Sequence, residues 1–241
     1  MTLGRQLLPW ACALMICFGS ARAQQTTVKA RIKIIEEEHQ KPSAHDENAV
    51  LWLNPLGAQT APGQHRSPAG PLRLTQHNKS FVPHLLVVPV GAIVEFPNRD
   101  PFFHNVFSLF EGKRFDLGLY EAGTTRNVSF DRQGISYIFC NIHAEMSAVV
   151  IALDTPYYGI SGRNGEVVVP NVPTGRYSMH LWYETALPAT LNRITREINV
   201  APDNPTLGVL EIPAATVNAH KNKYGMDYEP PAPNSPAYDR R

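Results

Sequence analysis

From Val28 to Ile35 the chain reads VKARIKII, apolar and basic residues in alternation. A period of two is the mark of a strand with one buried face, and it predicts a β-strand there. Further short apolar segments follow: VLWL (50–53), LRLT (72–75), HLLVVPVG (84–91), AIVEF (92–96) and NVFSLF (105–110). RNVSF (126–130), GISYIF (134–139) and SAVVIAL (147–153) continue the series. GEVVVP (165–170), GRYSMHLWY (175–183), ITREINV (194–200) and TLGVLEI (206–212) complete it. Gly, Pro, Asn and Asp punctuate these segments, and short strands at this spacing predict an all-β chain of β-sandwich architecture. No long amphipathic helical pattern competes, and there is no internal repeat. Residues 57–70, GAQTAPGQHRSPAG, read as a loop or linker. Residues 213–241 are polar and proline-rich and read as a flexible tail.

The first 23 residues stand apart from this pattern. Arg5 supplies a short positive region, Leu7 to Phe18 is apolar, and Ala21-Arg22-Ala23 has the form of a cleavage site. This predicts a signal peptide over 1–23 and a mature chain that begins near Gln24. Ile16 before Cys17 argues against a lipid anchor there, because a small residue is wanted at that place. No later stretch approaches the ~20 apolar residues of a membrane span. The expected location is therefore periplasmic or secreted.

Cleavage removes Cys12 and Cys17 and leaves Cys140 alone. An internal disulfide is then impossible. A lone cysteine in an oxidising compartment is buried and inert, paired with another chain, or a metal ligand. Charge adds little: loss of Arg5 and Arg22 takes the formal net charge from +1 to −1. Nothing in that balance suggests nucleic acid or a membrane surface.

The surroundings of Cys140 favour the metal. FCNIHAEM, residues 139–146, sets a thiol, an imidazole and a thioether at Cys140, His143 and Met146. The cysteine closes one predicted strand and the next begins at Ser147, so a tight loop can turn all three toward one point. A further ligand has to come from elsewhere, and NRDPFFHNVFS offers His104 just after another strand and a turn. Two imidazoles, a thiolate and a thioether are the blue-copper set, and soft sulfur favours copper over harder ions. Zinc more often takes several thiolates or a His/carboxylate set. Taken singly these residues mean less, since a lone cysteine in a β-protein is most often a small buried hydrophobe. His39, His45, His65, His77, His84, His180 and His220 have no such company and read as surface or packing residues. His220 and Met226 in the tail are only a remote copper-capture pair.

Residues 71–153 resemble a cupredoxin, the superfamily of plastocyanin, amicyanin and pseudoazurin. The residues that carry the likeness are FVPHLLVVPVGAIVEFPNRD, then HNVFS, then CNIHAEM. The short C-x₂-H-x₂-M loop is most similar to that of amicyanin. The resemblance implies a Greek-key β-sandwich over 70–153 that binds one copper per chain. It implies His104, Cys140 and His143 as equatorial ligands and Met146 as the axial one. It further implies that Asn105 ties the two ligand loops together by hydrogen bonds, which would tune the thiolate. In that geometry Phe102, Phe103, Ile142 and Ala144 surround the edge of His143, which lies near solvent. The whole chain also resembles bacterial plastocyanin-like proteins named for methylamine utilisation.

Residues 154–212 exceed a minimal cupredoxin. GRNGEVVVPNVPTGRYSMHLWYE resembles a carboxypeptidase-regulatory or transthyretin-like β-sandwich. That family has a first strand and hairpin before this segment, and 24–56 can supply them. The expected organisation is a smaller second sandwich from 24–56 plus 154–212, with the cupredoxin inserted. The runner-up is a simple tandem in which 28–53 adds strands to the cupredoxin. The implied function is a periplasmic one-electron carrier between redox partners such as a c-type cytochrome or a periplasmic dehydrogenase. The alternatives are a copper storage, delivery or sensing module, and a sandwich-based adhesion or scaffold protein. An enzyme is not expected. The chain lacks a second histidine cluster, a Ser-His-Asp arrangement and a phosphate-binding glycine loop.

Overall fold

The computed structural model describes residues 24–35, 46–57, 70–109, 111–203, 205–215 and 220–228. The leader at 1–23, most of the linker at 57–70, and His39, His45 and His65 lie outside the described residues. In chain order the first strands are β1 (Gln25–Ile35), β2 (Val50–Pro55), β3 (Leu72–Arg73), β4 (Thr75–His77) and β5 (Ser80–Val82). Next come β6 (Leu85–Pro89), β7 (Ala92–Pro97), β8 (His104–Ser108), β9 (Phe115–Tyr120) and β10 (Thr125–Phe130). β11 (Gly134–Cys140), β12 (Ser147–Leu153), β13 (Tyr158–Ile160), β14 (Glu166–Pro173) and β15 (Gly175–Trp182) follow. A short helix, α1 (Pro188–Ile194), precedes β16 (Arg196–Val200) and β17 (Thr206–Pro213). The described residues are all-β apart from this helix, and no helix among them is long and apolar enough to cross a membrane.

Of the five sheets among the described residues, β4-β5 is a two-stranded ribbon and the other four stack through three cores. The strand orders are β14-β1-β17, then β13-β2-β15-β16, then β6-β12-β11-β8-β9, then β10-β7-β3. The first two sheets enclose Val28, Ile32, Leu51, Leu53, Val169 and Met179. The last two enclose Phe96, Phe130, Ile138, Cys140, Met146 and Val150. Between these sandwiches lies a third core of Val50, Trp52, Trp182, Val87, Val149, Ile151 and Leu153.

The middle core explains the apolar runs of the sequence. On β2, Leu51 and Leu53 point into the first core while Val50 and Trp52 point into the middle one. On β12, Ala148, Val150 and Ala152 point into the core that holds Cys140 and Met146, while Val149, Ile151 and Leu153 face the middle core. A strand covered on both faces has no wet side, so VLWL and SAVVIAL carry no alternation. Burying a large aliphatic or aromatic side chain contributes about 1.5–3 kcal/mol. Several such side chains make this junction a packed wall and not a hinge.

Chain order and space order differ. β1 pairs antiparallel with β14 and parallel with β17, placing Val28 opposite Val169 and Ile32 opposite Leu210. β2 lies between β13 and β15. Strands that precede the sandwich around Cys140, the inner sandwich, thus pair with strands that follow it. Gly165 marks how close this join is: its φ is +75°, and a Cβ there would collide with the Ile32 carbonyl. Its own carbonyl accepts the Ile32 amide at 2.7 Å.

Three strands and the helix have no counterpart among the predicted segments: β5, β9, β13 and α1. The proline-rich tail also differs from expectation. Its first residue still belongs to β17, and residues 220–228 pack against the end of β11.

Candidate metal centre

β8 and β11 are antiparallel neighbours, with Cys140 opposite Val106. This places His104, which opens β8, at the same end of the sheet as Cys140, which closes β11. The chain then turns back at once. The Met146 amide donates to the His143 carbonyl at 3.1 Å, and the Cys140 amide donates to the Met146 carbonyl at 3.2 Å. The loop is thereby closed before β12 starts, and its short span holds His143 over the sulfur.

The four predicted ligands are brought together and buried: His104, Cys140 and Met146 at 0% exposure and His143 at 2%. The Cys140 Sγ lies 3.5 Å from His104 Nδ1 and 3.6 Å from His143 Nδ1. The ligating atoms of His104, Cys140 and His143 all lie within 4.8 Å of one another, so the cluster can hold a metal ion. The two imidazole centroids are 4.9 Å apart. Met146 shares the core of Cys140.

Electrostatics favour the uncharged forms of the thiol and of both imidazoles. Burial pushes the Cys140 thiol up, while the amides of Ile142, Asn105 and His143, donating toward the sulfur, pull the other way. Burial lowers His143 to about 4, with neighbouring His104 adding to the effect. Burial also lowers His104, against the raising effect of Asp100. Both rings are therefore uncharged at neutral pH, which is the form that ligates. A metal would displace the thiol proton, as metal sites built on cysteine do.

Asp100 decides which nitrogen of His104 is free. Its Oδ2 accepts from His104 Nε2 at 2.8 Å. A carboxylate can only accept, so Nε2 carries the proton and the lone pair sits on Nδ1, the nitrogen beside the thiol. Asp100 is itself held by the amides of Asn78 at 2.6 Å and Lys79 at 3.0 Å. Burial opposes its charge, but the Lys79 amide, the His104 ring and the Asn78 amide more than offset this, and its pKa is lowered. Such an oriented histidine is a recurrent companion of bound metal ions.

Asn105 joins the two ligand loops through its backbone. Its carbonyl accepts the Asn141 amide at 3.0 Å, and its own amide faces the Cys140 sulfur. Its side chain instead turns outward and donates to Asp116 Oδ1 at 2.7 Å. The His143 ring edge, expected near solvent, is buried: Phe102 lies 5.6 Å from that ring and 5.2 Å from His104. Phe103 points outward instead, at 52% exposure. The neighbours Phe102 and Phe103 thus part company, one roofing the imidazoles and the other facing solvent.

The other histidines among the described residues stay outside the centre. His84 bonds Glu184 at 2.7 Å, and His180 stacks on Trp52 at 5.2 Å. His77 stands 4.0 Å from Asp100. His220, expected at the surface or in packing, stacks on Phe139, next to Cys140, at 4.1 Å.

No family model matches the chain, and no curated protein matches it. Similar solved structures cover about a third of it. A copper-containing nitrite reductase from Thermus scotoductus SA-01 is 24% identical over 35% of this chain and 22% of its own, with a TM-score of 0.33. The chain thus spans about a fifth of that enzyme. A purple cupredoxin from Nitrosopumilus maritimus is 21% identical over 34% of this chain and 99% of its own, with a TM-score of 0.31. A reduced amicyanin variant is 19% identical over 35% of this chain and 84% of its own, with a TM-score of 0.33.

Proposed function

We propose that the protein is a blue copper protein of cupredoxin type that carries single electrons between redox partners. The observation that supports this most directly is the thiol flanked by two neutral imidazoles. Each presents Nδ1 at about 3.5 Å from the sulfur, and Asp100 sets the tautomer of one. His104, Cys140 and His143 would hold the ion, with the Met146 thioether as a weak fourth ligand. Copper bound there would supply one-electron chemistry between Cu(I) and Cu(II). The residues would keep water out, hold the rings neutral and fix the sulfur among three amide donors. The reading includes export by cleavage after Ala23, no enzymatic activity, and a c-type cytochrome or periplasmic dehydrogenase as partner. It also takes 70–153 as a cupredoxin inserted into a transthyretin-like sandwich of 24–56 and 154–212, on the strength of the β1 and β2 pairings.

A copper-holding role without electron transfer is the second reading, favoured by the burial of His143 at 2% exposure. Adding Cu(II) to the mature chain tests both. The expected result is one copper per chain and an intense visible absorption that Cys140→Ser abolishes; a blue Cys140→Ser variant would refute the ligand assignment. Electron exchange with a soluble cytochrome separates carrier from holder, since a holder stays coloured in the presence of reduced partner.

A further inference from the structure

Residues 220–228 lie across the metal end of the inner sandwich. His220 stacks on Phe139 with rings 25° from parallel, and its Nδ1 meets the Tyr228 hydroxyl at 3.3 Å. Between them the segment folds on Asn222. The side-chain oxygen of Asn222 accepts the amides of Tyr224 at 2.9 Å and Met226 at 3.1 Å. Asn222 also donates its own amide to the Met226 carbonyl at 2.9 Å. A nine-residue piece held this way is a preformed clip.

The clip grips the sulfur's supports from two sides. The Tyr228 hydroxyl donates to the Cys140 carbonyl at 2.8 Å, and the Lys223 amide donates to Asn141 Oδ1 at 2.9 Å. The clip thereby holds the carbonyl of the peptide that leaves Cys140 and the side chain of Asn141, while the amide of that peptide donates to the Asn105 carbonyl. On the other side Lys223 Nζ bonds Asp116 Oδ2 at 2.9 Å, while Asp116 Oδ1 accepts from Asn105 Nδ2. Asn105 is one of the three residues whose amides face the sulfur. The contacts reach across 82 to 107 positions of sequence and fall on Cys140, on Asn141 and, through Asp116, on Asn105.

We propose that residues 220–228 form a strap that positions the Cys140 sulfur, with Tyr228 and Lys223 as its positioning residues. This rests on the reading of Cys140 as a metal ligand. The strap restricts rotation of the Cys140–Asn141 peptide and holds β8 and β11 in register at the sulfur. Without it the thiol opens to solvent more often and its alignment with the amides loosens.

The test uses the full mature chain with Tyr228→Phe, Lys223→Met and both together. Tyr228→Phe removes one hydroxyl and leaves the ring on His220. In metal-free protein, labelling of Cys140 by a small thiol reagent reports opening of the site. We expect a rise of about fivefold for Tyr228→Phe, equivalent to ~1 kcal/mol and typical of one hydrogen bond. The double variant should show a larger rise, while the urea midpoint stays near that of the parent. In copper-loaded protein the visible band should shift in position or relative intensity. Labelling within twofold of the parent in the double variant would overturn the proposal. So would a labelling gain no larger than the loss of global stability. If the parent never turns blue, the copper reading fails on its own, and the labelling result still decides the strap.

Discussion

Replacing Asp100 by asparagine keeps the shape of the side chain and removes the charge that orients His104. The perturbation is well bounded, because His104 and Asp100 are 0% and 3% exposed and 2.8 Å apart. A hydrogen bond to a charged group contributes about 1.5–3 kcal/mol and a neutral one about 1 kcal/mol. Asparagine also has one acceptor oxygen where Asp100 uses two, for Asn78, Lys79 and His104. Its amide must face at least one donor. The expected loss is ~1–2 kcal/mol in holding Nδ1 toward the metal, or about 5- to 30-fold in copper affinity. This overlaps the 10- to 100-fold cost typical of removing a partner that orients a metal-binding histidine. Competition with a chelator of known affinity measures it, and urea unfolding of the metal-free variant checks the fold. An affinity within twofold of the parent in a stably folded variant would refute the claim that Asp100 sets the ring.

Three further outcomes follow from the same structure. Met146→Leu should keep copper and alter the reduction potential measured by voltammetry, because an axial thioether binds weakly; complete copper loss would give Met146 a structural role. Ile151→Ala, in the core shared by both sandwiches, should cost about 2–5 kcal/mol and leave one cooperative urea transition; two separate transitions would show that the halves unfold independently. The His84 pKa is raised, first by its bond to Glu184, so that pair stabilises the fold at acidic pH. The contribution is fully present below about pH 6.5, the unfolded value, and is lost as pH rises through the higher folded value. Both partners are partly exposed, at 45% and 36%, which limits the effect to about 1 kcal/mol or less. Glu184→Gln should remove that pH dependence, and a variant that retains it would assign the slope to other groups.

The candidate ligands were legible because three of them share one eight-residue stretch, where spacing alone dictates proximity. His104 was legible from its place after a strand and a turn. Asp100 was not, because an aspartate in such a turn reads first as a turn former. The strap left no trace for a different reason. Tyr228 and Lys223 act across most of the inner sandwich, and a proline-rich neighbourhood hides any local signal. Strand β9 begins in alternation, as FDL, but Gly118 weakens strand propensity and the pattern slips beyond it, with Leu119 exposed and Tyr120 buried. Helix α1 is seven residues long, too short for a period of 3.6 to register. The unbroken apolar runs of β2 and β12 follow from coverage on both faces, which was not read from the sequence. Which sheet supplied the second cover depended on pairings between residues far apart in the chain. The burial of His143 turned on where Phe102 rather than Phe103 points, which periodicity does not decide.

The pairing of β1 also sets the order in which the molecule can be made. Val28 and Ile32 emerge from the ribosome long before Val169 and Leu210, the residues they sit opposite. Until then the nascent chain carries two apolar strands with bare edges, the kind of surface that invites aggregation. Nor can the inner sandwich wait safely alone, since the core of Val149, Ile151 and Leu153 is complete only once β15 brings Trp182 to join Val50 and Trp52 of the earlier β2. Each half thus exposes an adhesive face that only the other can close. Such long-range β topologies fold on the millisecond-to-second scale. The last strand, β17, completes the first sheet, and a chain cut short before Thr206 would leave β1 with an open edge.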